Sequence, residues 1–180
     1  MVKTGDLLLA EPYLNDPNFK RAAIAIADHH EEGSVGFVLN QPLEYKVSDV
    51  IKDFPFFDAM MHYGGPVQRD TLHFLHRAHP LVSESIHVTD DIYWGGSFEE
   101  LTMRIEEGTI TPNEVRFFLG YSGWSPGQLE GELGDKTWVI SDLHEDLLFD
   151  TPTDQLWPKG MRRLGNSFGV ISTMDEESLN

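Results

Sequence analysis

Cysteine is missing from all 180 residues, and with it disulfides, thiolate nucleophiles and cysteine-bound metal centres are excluded. Positive charge is scarce. Thirteen Lys and Arg stand against 30 Asp and Glu, a formal net charge of −17. A nucleic-acid partner needs cations to neutralise its phosphates, so direct nucleic-acid binding is disfavoured. Lys159, Arg162 and Arg163 form the densest basic group, which reads as a solvated helix face or a complement to the helix C-terminus. Long apolar runs are missing too: Leu7-Leu8-Leu9-Ala10 and Phe117-Phe118-Leu119 fall far short of the ~20 residues that span a bilayer. The first residues, with one lysine and Glu11 after four apolar positions, do not follow the signal-peptide pattern. These features predict a soluble, cytoplasmic protein without a membrane partner.

Motifs for common cofactors are equally lacking. The chain has no G-x-G-x-x-G, no G-K-[ST] and no H-E-x-x-H, so no cofactor is expected. His73, His76 and His79 are spaced by three, which would converge on a helix. Residues 71–76 read as strand, where such a spacing alternates faces, so no metal site is expected.

What remains is a chain with 40% hydrophobic and 11% aromatic residues, enough for one packed domain. Alternation and turn signals predict strands at 5–10, 20–28, 35–39, 60–63, 71–76, 85–88, 114–121 and 138–141, with 147–149 as one more. Residues 20–39 form a hairpin, with His29-His30-Glu31-Glu32-Gly33 as its polar tip. Ser97-Phe98-Glu99-Glu100 is a capping box that opens a helix over 98–107. Shorter helices are expected at 47–53 and 153–164, the latter kinked or delayed by Pro158. Residues 172–180 read as a frayed acidic tail. Strands outnumber helices, which predicts an α+β domain over 1–180 with a curved mixed or antiparallel sheet and helices against it.

The densest cluster of special residues is Gly120-Tyr121-Ser122-Gly123-Trp124-Ser125-Pro126-Gly127-Gln128. It contains a literal G-x-S-x-G around Ser125. A nucleophile elbow takes an oxyanion donor from the amide after the serine, and Pro126 has none. The segment instead reads as a capping box, with Ser125 at N-cap, Pro126 at N1 and Gln128 at N3. No catalytic residue is assigned. Gly64-Gly65-Pro66-Val67 reads as a tight turn whose amides, with Arg69 beside them, form a candidate anion nest. Gly64, Gly65, Arg69, Tyr121, Ser122, Trp124 and Gln128 are therefore the candidate ligand-binding residues, with Trp124 expected to be substantially buried. The partner they imply is an unidentified small molecule or protein.

Several blocks in order resemble the bacterial YqgE/AlgH family. They are Gly5-Asp6-Leu7-Leu8-Leu9-Ala10, Asp16 with Phe19, and the run from His30 through Gly36-Phe37-Val38-Leu39-Asn40-Gln41-Pro42. Gly64-Gly65-Pro66-Val67, Leu72-His73, Gly120-Tyr121-Ser122-Gly123-Trp124, Gly127-Gln128-Leu129-Glu130, Trp138, Leu156-Trp157 and Leu164-Gly165 complete the match over about residues 5–165. Pro158 and Gly160 depart from the family's smoother last helix. The resemblance implies an α+β fold with a partly open, barrel-like sheet flanked by helices. It implies no catalytic motif, and some members carry the label of putative transcriptional regulator. The reading is a non-enzymatic binding or regulatory module; the alternatives are a transcriptional regulator acting indirectly or through DNA, and a hydrolase using Ser122 or Ser125.

Overall fold

The computed structural model describes residues 1–165, so the expected tail at 172–180 lies outside the described residues. Among these residues ten strands form one branched sheet. They are β1 (Asp6–Ala10), β2 (Ala23–His30), β3 (Gly33–Val38), β4 (Pro42–Lys46), β5 (Met60–Tyr63), β6 (Val67–His76), β7 (Ile86–Thr89), β8 (Ile92–Trp94), β9 (Val115–Trp124) and β10 (Trp138–Asp142). The main path runs β10-β1-β2-β3-β9-β6-β8-β7 and is antiparallel throughout. The side branch starts from β5, which pairs β9 in parallel and carries β4 on its other edge. The sheet is mixed, as expected.

The sheet curls because both its faces are apolar and each needs cover. On β1, Leu7 and Leu9 join the inner core with Phe37, Leu75, Phe118 and Trp157, while Leu8 and Ala10 face an outer core with Trp124, Leu129 and Trp138. That is the period-two alternation of a strand buried on both sides. The curl brings β7 back to the start of β1, where a Cβ on Gly5 would lie 2.7 Å from Thr89 Cβ. A third core, with Phe117, Phe74 and Leu101, covers the opposite face of β6 and β9 beneath α2 (Phe98–Glu106).

Among the described residues five α-helices flank this partly open barrel: α1 (Val47–Val50), α2, α3 (Gln128–Gly134), α4 (Glu145–Phe149) and α5 (Thr153–Arg163). Residues 147–149, expected as strand, are the end of α4. Their apolar side chains all point into the inner core, and three consecutive apolar residues carry no readable period. Helix α5 runs through Pro158. It approaches β1 closely because Gly160 presents no side chain: a Cβ there would sit 2.9 Å from Leu9 Cδ2. Trp157 anchors the same helix by donating Nε1–H to the Ala10 carbonyl at 3.0 Å.

Candidate functional site

The glycines of the candidate site serve the branch in the sheet. One edge of β9 is taken first by β5, at Phe117 to Leu119, then by β3, at Ser122 to Trp124. Gly64 and Gly65 sit where the partner changes. Gly64 donates its amide to Leu119 at 2.8 Å, and its carbonyl accepts from Val38 N at 2.9 Å and Ser122 Oγ at 3.2 Å. A Cβ on Gly64 would lie 2.3 Å from the Gly120 carbonyl, and one on Gly65 2.2 Å from that of Tyr121. The backbones approach too closely for any side chain. The Gly64 amide is therefore not free to form an anion nest.

Of the other candidates, Ser122 is buried in this junction and Arg69 lies over the Tyr63 ring at 5.5 Å. Trp124 is 6% exposed and gives its Nε1–H to Glu132 Oε2 at 2.9 Å. The same oxygen accepts from Trp138 Nε1 at 2.8 Å, and Gln128 Nε2 reaches Glu132 Oε1 at 3.0 Å. Gln128 thus supports the indoles from the solvent side.

The helix cap is corrected. The residue before α3 is Gly127, at φ 77° and ψ −9°, and Ser125 lies outside the helix. Ser125-Pro126-Gly127-Gln128 is a type II turn, closed by Gln128 N to the Ser125 carbonyl at 3.0 Å, with proline and glycine in their favoured places. Half of the expected box survives: Gln128 Oε1 accepts from Ser125 N at 3.0 Å.

Tyr121 and Trp124 line an open cleft of about 380 Å³ at the β2–β3 hairpin, together with Asp28, His30, Glu32 and Ser34. Gly64, Gly65, Arg69, Ser122 and Gln128 do not line it. The rim is acidic, and its one imidazole, His30, pairs with Asp28 at 3.1 Å. Sequence reading treated His29 as part of a polar tip. It is instead the centre of a chain in which Nδ1 meets Ser34 Oγ at 2.6 Å and Nε2 meets Glu130 at 3.3 Å. His29 and Ser34 face each other across the hairpin, so the chain fastens two strands to α3.

The three regularly spaced histidines have separate roles. His73 packs among Phe37, Trp94 and Tyr121, and burial holds it below its ordinary pKa. His76 accepts at Nδ1 from Ala78 N at 3.2 Å, so its Nε2–H points to the Gly95 carbonyl at 3.0 Å. His79 stacks on Tyr93 at 4.4 Å. Among the described residues no group of three His, Asp or Glu is placed to hold a metal ion. The basic cluster at 159–163 is only partly neutralised: Lys159 and Arg163 share a single carboxylate, Asp146, at 3.3 and 2.6 Å.

A family model described as AlgH-like matches residues 7–169. The chain belongs to the AlgH-like family. A UPF0301 protein of Chlorobaculum tepidum is 41% identical over 98% of this chain and 94% of its own length, and one of Chlorobium limicola is 39% identical over 97% and 94%. The solution structure of AlgH from Pseudomonas aeruginosa superposes with a TM-score of 0.76 at 28% identity, covering 96% of this chain and 94% of that one. A crystal structure of a Corynebacterium diphtheriae protein gives a TM-score of 0.80 at 20% identity, covering 97% and 93%, and shows the shared fold. None of these names states an activity. No helix among the described residues is long and apolar enough to cross a membrane.

Proposed function

We propose that this AlgH-like chain is a non-enzymatic binding module of the bacterial cytoplasm, and that the cleft beside Tyr121 takes a small molecule carrying a cationic amine. The observation that carries this reading is an aromatic ring beside two carboxylates, Asp28 and Glu32, in a cleft of ligand size. The earlier hydrolase candidates do not serve: Ser122 is buried with its hydroxyl on Gly64, and Ser125 is followed by a proline. A regulatory role through direct DNA contact is opposed by the −17 charge, against which the basic group at 159–163 sets only three cations, two of them sharing Asp146. A thermal-shift screen of amine and non-amine metabolites tests the reading, because a ligand of the native state raises its melting temperature. Amines that stabilise the wild type and not Tyr121→Ala are expected; equal shifts in both, or none, refute it.

One observation favours a second reading, hydrolysis, namely the in-line Ser34, His29 and Glu130. It is the weaker because Ser34 lies in a strand paired on both sides, where backbone amides serve the ladder rather than an oxyanion. Labelling of Ser34 by a fluorophosphonate, lost in Ser34→Ala, would favour it over the binding reading.

A further inference from the structure

A second cleft, of about 370 Å³, opens on another part of the barrel between β5, the start of β9 and the beginning of α5. Two of its lining residues, His62 and Arg116, each keep a buried nitrogen without a hydrogen-bond partner. Arg116 is the one charged residue in the apolar first half of β9, and its Nη2 donates to the Leu148 carbonyl at 2.8 Å. Its Nε is buried without a partner, and no carboxylate among the described residues pairs with it. Asp150, the acid whose charge it feels, is already held by both nitrogens of Arg77, at 3.0 and 2.6 Å. Arg116 is half-buried as a residue, and a cation partly removed from water is ordinarily paired, because desolvation costs more than one carbonyl returns.

His62 lies beside it and is 2% exposed. It lines the cleft, and its Nδ1 has no hydrogen-bond partner. Burial first, and the Arg116 charge second, push its pKa down to about 4, so the imidazole is neutral near pH 7. It is a hydrogen-bonding group there and adds no second cation. The third element is the N-terminus of α5, eleven residues long, whose cap residue Pro152 offers no side-chain bond to the first-turn amides. Those amides carry the positive end of the helix dipole.

From this convergence we infer that the cleft is a binding site for a carboxylate on a short apolar body. The guanidinium and the helix end supply the positive charge, and His62, in the tautomer protonated at its unpartnered Nδ1, supplies a neutral donor. Most of the remaining wall is apolar, from Pro42, Ala59, Met60 and Val115, with Thr151 and Thr153 at the α5 end. Asp58 and Asp154 on the rim oppose a dianion, which selects a carboxylate over phosphate. Asp58 is itself engaged by Lys46 at 2.8 Å. The carboxylate comes either from a free aliphatic acid or from a peptide C-terminus.

Titration of the whole protein with butyrate, followed by backbone amide chemical shifts, tests the site. Saturable shifts are expected at residues 60–62, 115–116 and 153–155 and not at the hairpin cleft, where Asp28 and Ser34 lie. Inorganic phosphate should bind at least tenfold more weakly. Arg116→Met should weaken butyrate binding at least tenfold. Met60→Glu places a like charge at a position 38% exposed, where folding is not at stake, and should do the same. A short apolar peptide with a free C-terminus and its amidated form then separate the two sources: tighter binding of the free peptide than of butyrate assigns a chain terminus, the reverse a small acid. Absence of saturable shifts with all these probes, unchanged affinity in Met60→Glu, or tighter binding of phosphate would overturn the inference.

Discussion

Acid should destabilise this protein through His62 in a way that a paired measurement isolates. The neutral imidazole is buried against Arg116, and its pKa falls from the ordinary 6.5 to about 4. Burial is the larger cause and the Arg116 charge the second, partly offset by the carbonyls of Phe117 and Met60. The folded pKa lies below the unfolded one, so the unfolded chain binds more protons between these values. The contribution of His62 is complete above pH 6.5 and is lost as pH falls toward 4. Linkage gives a loss of about 2 kcal/mol by pH 5 and about 3 kcal/mol by pH 4. Burial also lowers the pKa of His73 and His76, so the wild type alone would not attribute the loss. The assay is urea unfolding of the wild type and His62→Asn from about pH 7.5 to about pH 4, where only the difference between them is read. That difference should close by about 3 kcal/mol on acidification. In Arg116→Met the His62 pKa should rise but stay below 6.5, because burial remains. A flat difference between wild type and His62→Asn, or an imidazole titrating near 6.5 by NMR, would refute the buried neutral assignment.

Four further outcomes follow, three from the packing and one from the net charge. Glu132→Ala leaves the indole N–H groups of Trp124 and Trp138 unpaired and should cost about 2–4 kcal/mol in denaturant unfolding, with a change in tryptophan fluorescence. Gly65→Ala forces a Cβ to within 2.2 Å of the Tyr121 carbonyl at a φ of 155°, so a loss of at least about 3 kcal/mol, or failure to fold, is expected by circular dichroism. Ser125→Ala should change stability by less than about 0.5 kcal/mol, because the exposed hydroxyl only touches Gln128 at 3.3 Å and caps no helix. In a mobility-shift assay at physiological salt the protein should show no affinity for random duplex DNA, and salt-sensitive micromolar binding would contradict the charge argument.

Features written within a few residues were legible. The N-cap of α2 is found as read, with Ser97 Oγ accepting from Glu100 N at 3.2 Å, but the box is not closed: the Glu100 carboxylate accepts instead from Ser83 N at 2.7 Å, a partner 17 residues away that nothing local announces. The β2–β3 hairpin and the apolar run of β9 were likewise visible in their own residues. Strand β4 escaped notice because Pro42-Leu43-Glu44-Tyr45-Lys46 is mostly exposed, carries two charges and begins with proline, as an edge strand does. The parallel pairing of β5 with β9 was illegible for another reason. It joins Met61 to Phe117, and nothing local to either names the other. Helix α4 was misread since its buried run is too short to show a period.

The candidate sites divide along the same line. A dense set of glycines and aromatics draws attention in a sequence, and here it marks the junction at which three strands meet. Glycine records that two backbones must come close, a requirement met inside the chain. Arg116 looks ordinary in sequence, a single charge in Val115-Arg116-Phe117-Phe118-Leu119. Its meaning depends on Leu148, 32 residues onward, and on His62 across a parallel ladder. Only after folding does it become clear that Arg77 has taken Asp150, the acid whose charge Arg116 feels. A close approach of glycines needs no ligand to explain it, whereas a half-buried cation whose Nε is enclosed without an anion does, and that difference directs the search for this protein's ligand to the His62 and Arg116 cleft.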